Sequence, residues 1–333
     1  MVKRFVGGIT IGTPDSTTIG TNARGIFTGD SLVQSTSIST GSVAGIYGGT
    51  PTANATSATY VLVGGGQSGS TCYAGTGAVG NGDFGAGGGG GEILQNTLSG
   101  ITAGVALTIT IGGGGSAPSP TTNPGANGAV GGNTIFSTVT SRGGGVTFPG
   151  YWYNGRGGNS GGNNAGTGDV QSSSGVGGGG GGGGAAFAPI VTGSQKSGDG
   201  GIGATVTLGP LTSEFSGGGG GGFYSGPGAG RGGGYTGGHG GFGNAGDIAA
   251  AGRNGVVNTG GGGGGRALGS VSRAACTPGN GGSGRAWIRV LIYDGTTTYY
   301  TPAATGTYNQ INYTSGGNGY VLFDFTGSGT LTF

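Results

Sequence analysis

Catalysis needs groups that move protons or attack carbon, and this chain holds few of them. His239 is the sole histidine among 333 residues, set in Gly237-Gly238-His239-Gly240-Gly241. An imidazole can act as a general base only with partner groups in hydrogen-bond reach. A lone histidine among glycines reads better as a loop contact. Ten carboxylates are dispersed without a tight pair. Gly-x-Gly-x-x-Gly patterns recur, but 98 glycines make chance matches certain, and there is no Gly-x-x-x-x-Gly-Lys-Ser/Thr phosphate loop. Cys72 and Cys276 with one histidine fall short of a four-ligand zinc centre. The expectation is no catalytic residue, no metal and no cofactor: not an enzyme.

Recognition has better candidates. Phe148-Pro149-Gly150-Tyr151-Trp152-Tyr153-Asn154-Gly155-Arg156 lies between glycine blocks. Phe148, Tyr151, Trp152, Tyr153 and Arg156 are its contact residues. Phe223, Tyr224, Tyr235, His239 and Phe242 make a second group. Rigid aromatic rings beside adaptable Gly, Ser and Asn resemble the chemistry of an antibody-type binding surface. The same rings could instead cap a bundle or touch a neighbouring subunit, because aromatics suit either kind of buried surface.

Composition sets what must position these loops. Glycine at 98 residues is several times its usual share of about 7%, and charged residues are 7% against roughly 25% in ordinary domains. Compositional disorder usually needs high net charge, whereas here it is +2 and β-forming segments punctuate the glycine. Low net charge suits a subunit living in an assembly. Arginines are scattered singly from Arg4 to Arg289, which argues against nucleic-acid binding. No stretch approaches the roughly 20 apolar residues of a membrane helix. Lys3-Arg4 is followed by a segment too broken by glycine for a signal peptide.

Glycine is unevenly spread: residues 1–63 hold 10 and residues 286–333 hold 7. Three regions follow: an N-terminal β region over 1–58, a glycine-rich domain over 59–293 and a C-terminal β region over 294–333. Glycine blocks stand at 87–91, 112–115, 177–184, 217–222 and 260–265, with shorter ones at 143–145 and 232–234. They lack the Gly-X-Y period of collagen. A bundle of polyproline-II chains accounts for them. That helix has three residues per turn and no internal hydrogen bonds, so its backbone groups can pair with neighbouring chains. At about 3.1 Å per residue, 177–184 would span roughly 25 Å. A Cβ at a fully surrounded position would push the neighbours apart.

The strands are legible from alternation and β-branching. Tyr60–Val63, Val105–Ile111, Thr134–Ser141, Ala204–Leu208 and Arg285–Tyr293 are expected, the last with Ala286, Ile288, Val290 and Ile292 on one face. Thr298–Thr301, Tyr320–Phe325 and Thr330–Phe333 follow in the tail. No amphipathic helix is evident. The fold class is all-β: a glycine-rich bundle of polyproline-II (polyglycine-II) strands framed by short antiparallel strands.

These segments carry a resemblance. Tyr60-Val61-Leu62-Val63-Gly64-Gly65-Gly66, Leu107–Ile111 with Gly112–Gly115, Gly131-Gly132-Asn133-Thr134-Ile135-Phe136 and Gly281-Gly282-Ser283-Gly284-Arg285-Ala286-Trp287-Ile288-Arg289-Val290 resemble the successive motifs of the glycine-rich domain of phage tail proteins. Stacked polyglycine strands with variable loops are also similar to the tip adhesins of T-even-like phages. The segment Met1–Gly8, with Ala23–Thr28 after it, looks like the start of phage virion proteins from aquatic bacteria. One departure stands out: a segment like Phe325–Thr332 commonly precedes the domain in tail proteins, and here it ends the chain. The resemblance implies a virion structural protein, in a tail fibre or tail tip, with loops that contact a host polysaccharide or outer-membrane protein. It implies other virion proteins as partners and a homo-oligomer, a trimer by analogy with phage fibres. A capsid fibre or decoration protein is the alternative within that class. An ice-binding polyproline-II bundle is the alternative outside it and would need one regular face of small residues.

The cysteines add one geometric expectation. If Tyr60–Val63 pairs antiparallel with Arg285–Tyr293, Cys72 lies nine residues past Val63 and Cys276 nine before Arg285. They would then be neighbours, either as free thiols or as a disulfide, and a bond further requires Cα atoms within about 7 Å.

Overall fold

The computed structural model describes residues 50–70, 85–119, 128–145, 199–222, 232, 235–238, 251–266 and 277–333. The chain divides into two units, Met1–Thr50 and Pro51–Phe333. All that follows concerns the second unit. Its described residues contain ten strands and no helix.

The centre is β10 (Asn318–Thr332). One edge pairs first with β8 (Arg285–Tyr293) and then with β3 (Ala106–Thr110), while the other pairs along its length with β9 (Ala303–Ser315). Beyond β8 come β1 (Ser57–Val63) and β2 (Ile93–Ser99), and beyond β3 come β4 (Thr134–Phe136) and β5 (Val139–Ser141). The antiparallel pairing of β1 with β8 expected from the sequence is present, with Val63 opposite Arg285. The sheet curls until its two flanks meet. Arg142 donates its N–H to Glu92 Oε2 at 2.8 Å, Glu92 donates its own to Arg142 O at 2.8 Å, and Ser141 Oγ donates to Glu92 O at 2.7 Å. A nearly closed barrel results.

Side-chain alternation fills it. Ala286, Ile288, Val290 and Ile292 are buried on one face of β8 as their period predicts, with Val321, Phe323 and Phe325 of β10 beside them. Tyr60 meets Phe136 across the interior edge-on, ring centres 6.0 Å apart. Outside the barrel, the hairpin of β6 (Ala204–Leu208) and β7 (Leu211–Phe215) covers the other face of β8, where Phe215 stands edge-on to Trp287 at 5.0 Å. Each such side chain contributes about 1.5–3 kcal/mol through burial.

Three strand expectations need correction. Thr134–Ser141 is a hairpin, because Ser137 takes φ 57° and reverses the chain between β4 and β5. Tyr320–Phe325 and Thr330–Phe333 belong to one strand, with a register shift between Phe325 and Gly329 absorbing Gly327-Ser328. Thr298–Thr301 makes only isolated bridges, Tyr293 with Thr298 and Ala53 with Tyr299. Strands β2, β7 and β9 also escape the sequence reading. Their apolar residues, such as Ile93, Phe215 and Ile311, are interspersed with polar ones, and the neighbouring strands β1, β6 and β10 supply the pairing that makes them strands.

At one end of the barrel the strands run into glycine. Residues 64–70 continue β1, 85–92 lead into β2, 112–115 continue β3, and 277–284 lead into β8. Hydrogen bonds from 64–70 repeat every third residue. Gly64, Gln67 and Ser70 donate to Glu92, Gly89 and Ala86; Gly65 and Ser68 to Gly132 and Ala129; Gly66 and Gly69 to Gly282 and Gly279, all at 2.8–3.0 Å. Three neighbours in rotation are what a helix with three residues per turn must produce. Three more donate to it, through Gly144 to Gly65, Gly115 to Gly66 and Gly263 to Gln67. The segment therefore has six neighbours, and the described blocks 87–91, 217–222 and 260–265 are bonded laterally in the same way. Block 177–184 lies outside the described residues.

Glycine follows from this packing. A Cβ on Gly66 would strike the carbonyl of Gly261, and one on Gly69 that of Gly264, both well inside 3.0 Å. Two of the three side chains in the segment, Gln67 and Ser68, replace backbone partners. Gln67 Nε2 donates to Gly128 O at 3.0 Å while its Oε1 accepts from Gly89 N–H at 3.2 Å, and Ser68 Oγ accepts from Ala129 N–H at 2.8 Å.

Candidate functional site

The barrel end of the bundle and its far end offer different chemistry. Ser70, Gly85, Gly222 and Arg266 mark the far end, where Ser70 bonds Ala86, Gly85 bonds Arg266 and Gly222 bonds Gly85. At the barrel end two tight turns close the bundle. In one, Thr236 is buried, its Oγ1 accepting from Gly217 N–H at 2.7 Å and its carbonyl from Val256 N–H at 3.0 Å. Tyr235 beside it donates its N–H to Glu214 Oε1 at 3.1 Å and turns its side chain outward, 91% exposed. The buried threonine anchors the turn, so the phenol projects from a fixed base. Val256 and Val257 are exposed on the other turn.

Of the ten residues expected to contact a receptor, Tyr235 alone lies among the described ones. Phe148, Tyr151, Trp152, Tyr153, Arg156, Phe223, Tyr224, His239 and Phe242 lie outside them, as do Cys72 and Cys276. Gly222, which Phe223 follows in the chain, is at the far end. Thr236 is level with Gly217, five residues back, or roughly 15 Å along the axis.

A second aromatic group, missed in the sequence, comes together on the outer sheet face. Tyr313 of β9 stacks on Tyr320 of β10 with centres 5.4 Å apart and planes 24° off parallel. Arg289 of β8 lies over the Tyr320 ring at 5.0 Å and donates to Thr59 Oγ1 at 3.3 Å. Burial raises the Tyr313 phenol pKa above its ordinary value, and a hydrogen bond and charge from Arg289 partly oppose this. Tyr313 and Tyr320 face each other across the β9–β10 hairpin, seven residues apart, and Arg289 joins them only through the β8–β10 register.

Two carboxylates of the described region, Asp324 and Asp294, have structural partners. Asp324, buried in β10, receives Arg285 through both oxygens at 2.7 and 2.6 Å and the Trp287 indole N–H at 3.1 Å. Asp294 organises the loop after β8. Hydrogen bonds from Thr297 N–H, Tyr299 O–H and Thr296 hold its carboxyl far below the usual carboxylate range, and Tyr299 is pushed up by the same contact. Among the described residues no three His, Cys, Asp or Glu side chains gather as metal ligands, and no helix is long and apolar enough to cross a membrane. What this region can offer is contact surface: a projecting phenol and a stacked tyrosine pair with an arginine.

No curated protein matches the chain. The model of a family described as a glycine-rich domain matches residues 38–291, from before β1 to the body of β8, leaving β9 and β10 outside the match. That match takes in the glycine segments, their framing strands and both turns at the barrel end, and the chain belongs to this glycine-rich domain family.

Proposed function

We propose that the protein is a non-enzymatic structural component of a phage virion, a tail fibre or tail-tip subunit that presents host-receptor-contacting loops. The observation that carries this reading is the union of barrel and bundle. Strands of one barrel continue at one end into glycine segments that are each tied to several neighbours. Such an element is stiff without a large side-chain core, because every bond is modest, about 0.5–1.5 kcal/mol, and there are many. Stiffness with variable connections suits display, since loops on a rigid support lose less entropy on binding. Segment 146–198, with Tyr151-Trp152-Tyr153, joins Gly145, which follows β5, to Asp199, which precedes β6, and Phe223-Tyr224 follow Gly222 at the far end of the bundle.

The protein acts as a homo-oligomer, a trimer by analogy with phage fibres, alongside other virion proteins, and its receptor is a surface polysaccharide or outer-membrane protein. Virions carrying Trp152→Ala are expected to adsorb to host cells about tenfold less while particle yield is unchanged, as for loss of a binding hot spot. Unchanged adsorption would assign the ring a structural task. Absence of the chain from purified particles would remove the virion reading altogether.

A further inference from the structure

Strand β9 stands outside the closure of the barrel. Its partner β10 takes it on one edge and takes β8 and β3 on the other, while the flanks of the sheet meet each other through Glu92 and Arg142. On its second edge β9 pairs with no strand among the described residues. A strand edge carries a row of N–H and C=O groups that pair with another chain unless something prevents it. Tyr308–Ser315 is the regular part of that edge. Its eight residues face Asn318–Phe325 of β10 one for one, and the register shift lies beyond them. At about 3.4 Å per residue the segment presents roughly 27 Å of edge.

Charge, proline, a bulge in the edge strand or a cover ordinarily keeps such edges apart. Tyr308–Ser315 holds no proline, and from Gly295 to Phe323 the sequence holds no Asp, Glu, Lys, Arg or His. The hairpin of β6 and β7 covers one face of β9, where Ile311 and Tyr313 pack against the cluster that includes Val206, Leu208 and Phe215. It leaves Asn309, Gln310, Thr314 and Ser315 exposed. An occupant of this edge must be an extended, uncharged strand with a free edge of its own, and β9 is itself such a strand. Two copies of an uncharged segment meet without the repulsion that like charges cause across a strand pair. A twofold axis sets the segment antiparallel to its copy, as β9 already lies against β10.

We propose that Tyr308–Ser315 is an interface for a second copy of this chain, the two β9 strands pairing antiparallel so that two barrels share one continuous sheet. Main-chain hydrogen bonds hold such a contact, as in other cases of strand addition. The contact is twofold and joins assemblies in pairs, whatever their number of copies. It is therefore separate from the threefold inferred by analogy with phage fibres, and it does not depend on the virion reading.

The test is sedimentation of the full-length chain and of two charged variants, one with Gln310→Lys and Asn312→Lys, the other with Gln310→Glu and Asn312→Glu. Gln310 Nε2 donates to Asn312 Oδ1 at 3.5 Å, and the two side chains share the face opposite Ile311 and Tyr313. Like charges placed there oppose each other across the paired strands. The unaltered chain is expected at twice the mass of either variant alone, and an equimolar mixture of the two variants should regain the doubled mass. Hydrogen exchange gives a reading that needs no variant. Peptide 303–315 of the unaltered chain should exchange at least tenfold more slowly where the mass is doubled than after dilution to the single mass, while β8 exchanges alike in both. Equal masses for the three proteins, a mixture that stays at the lower mass, or exchange of 303–315 that ignores concentration would overturn the proposal.

Discussion

Ser216 stands where β7 gives way to the glycine bundle, buried and with φ 62°. A residue with a Cβ costs roughly 1 kcal/mol or more in that left-handed region. Its hydroxyl has no hydrogen-bond partner among the described residues, while its N–H is used by Thr259 O at 2.7 Å. Ser216→Gly removes both penalties and keeps the backbone bond. Against this, glycine gives the unfolded chain about 0.5–1 kcal/mol more entropy to lose. The expected net is a gain of about 1 kcal/mol, read as a higher urea midpoint with unchanged slope. A lower midpoint would mean that the hydroxyl supports the junction. Asp324 is the contrasting case: a buried carboxylate whose Arg285 and Trp287 partners match its two oxygens.

Among elements, the glycine segments differ from strands in what each position tolerates. Within a strand, alternate side chains leave the sheet on opposite faces. A surrounded glycine segment has six neighbours and no open face. Gly66→Ala should therefore cost about 2–3 kcal/mol, since the carbonyl of Gly261 cannot move without breaking its own contacts. Gly113 is the control. It lies in a comparable run, its φ is not in the left-handed region, and a Cβ there meets nothing within 4 Å. Gly113→Ala should be neutral or stabilise by about 0.5 kcal/mol through the unfolded state. Chemical denaturation of both variants checks the pair. Equal effects would show that the bundle does not exclude side chains by position.

For the described part of the Pro51–Phe333 unit, barrel and bundle share strands and should open together. Glycine-rich segments ordinarily exchange their amide protons quickly, because little holds them. Here the amides of 64–70 and 260–266 are tied to segments continuous with β1, β2 and β8. Hydrogen exchange followed by mass spectrometry is expected to protect these peptides to the same degree as β8 and β10, as one cooperative unit. Exchange within seconds while β8 stays protected would separate the two parts.

How far the sequence reached depends on the range of the interactions. Local pattern was enough for the all-β class, for β1, β3, β6 and β8, and for the buried face Ala286-Ile288-Val290-Ile292, because alternation and β-branching act over a few residues. Glycine runs too dense for side-chain packing already required backbone bonds between chains. Three things were decided by tertiary structure. Strand β9 is fixed by its pairing with β10 along nearly its whole length, which no local pattern in Ala303–Ser315 announces. Arg289, Tyr313 and Tyr320 meet through strand register. The six neighbours of 64–70 come from segments as far apart as Ala86 and Gly282. Glycine has no side chain to select one neighbour over another, so the choice passes to the barrel strands that feed the bundle and set the register in which each segment arrives.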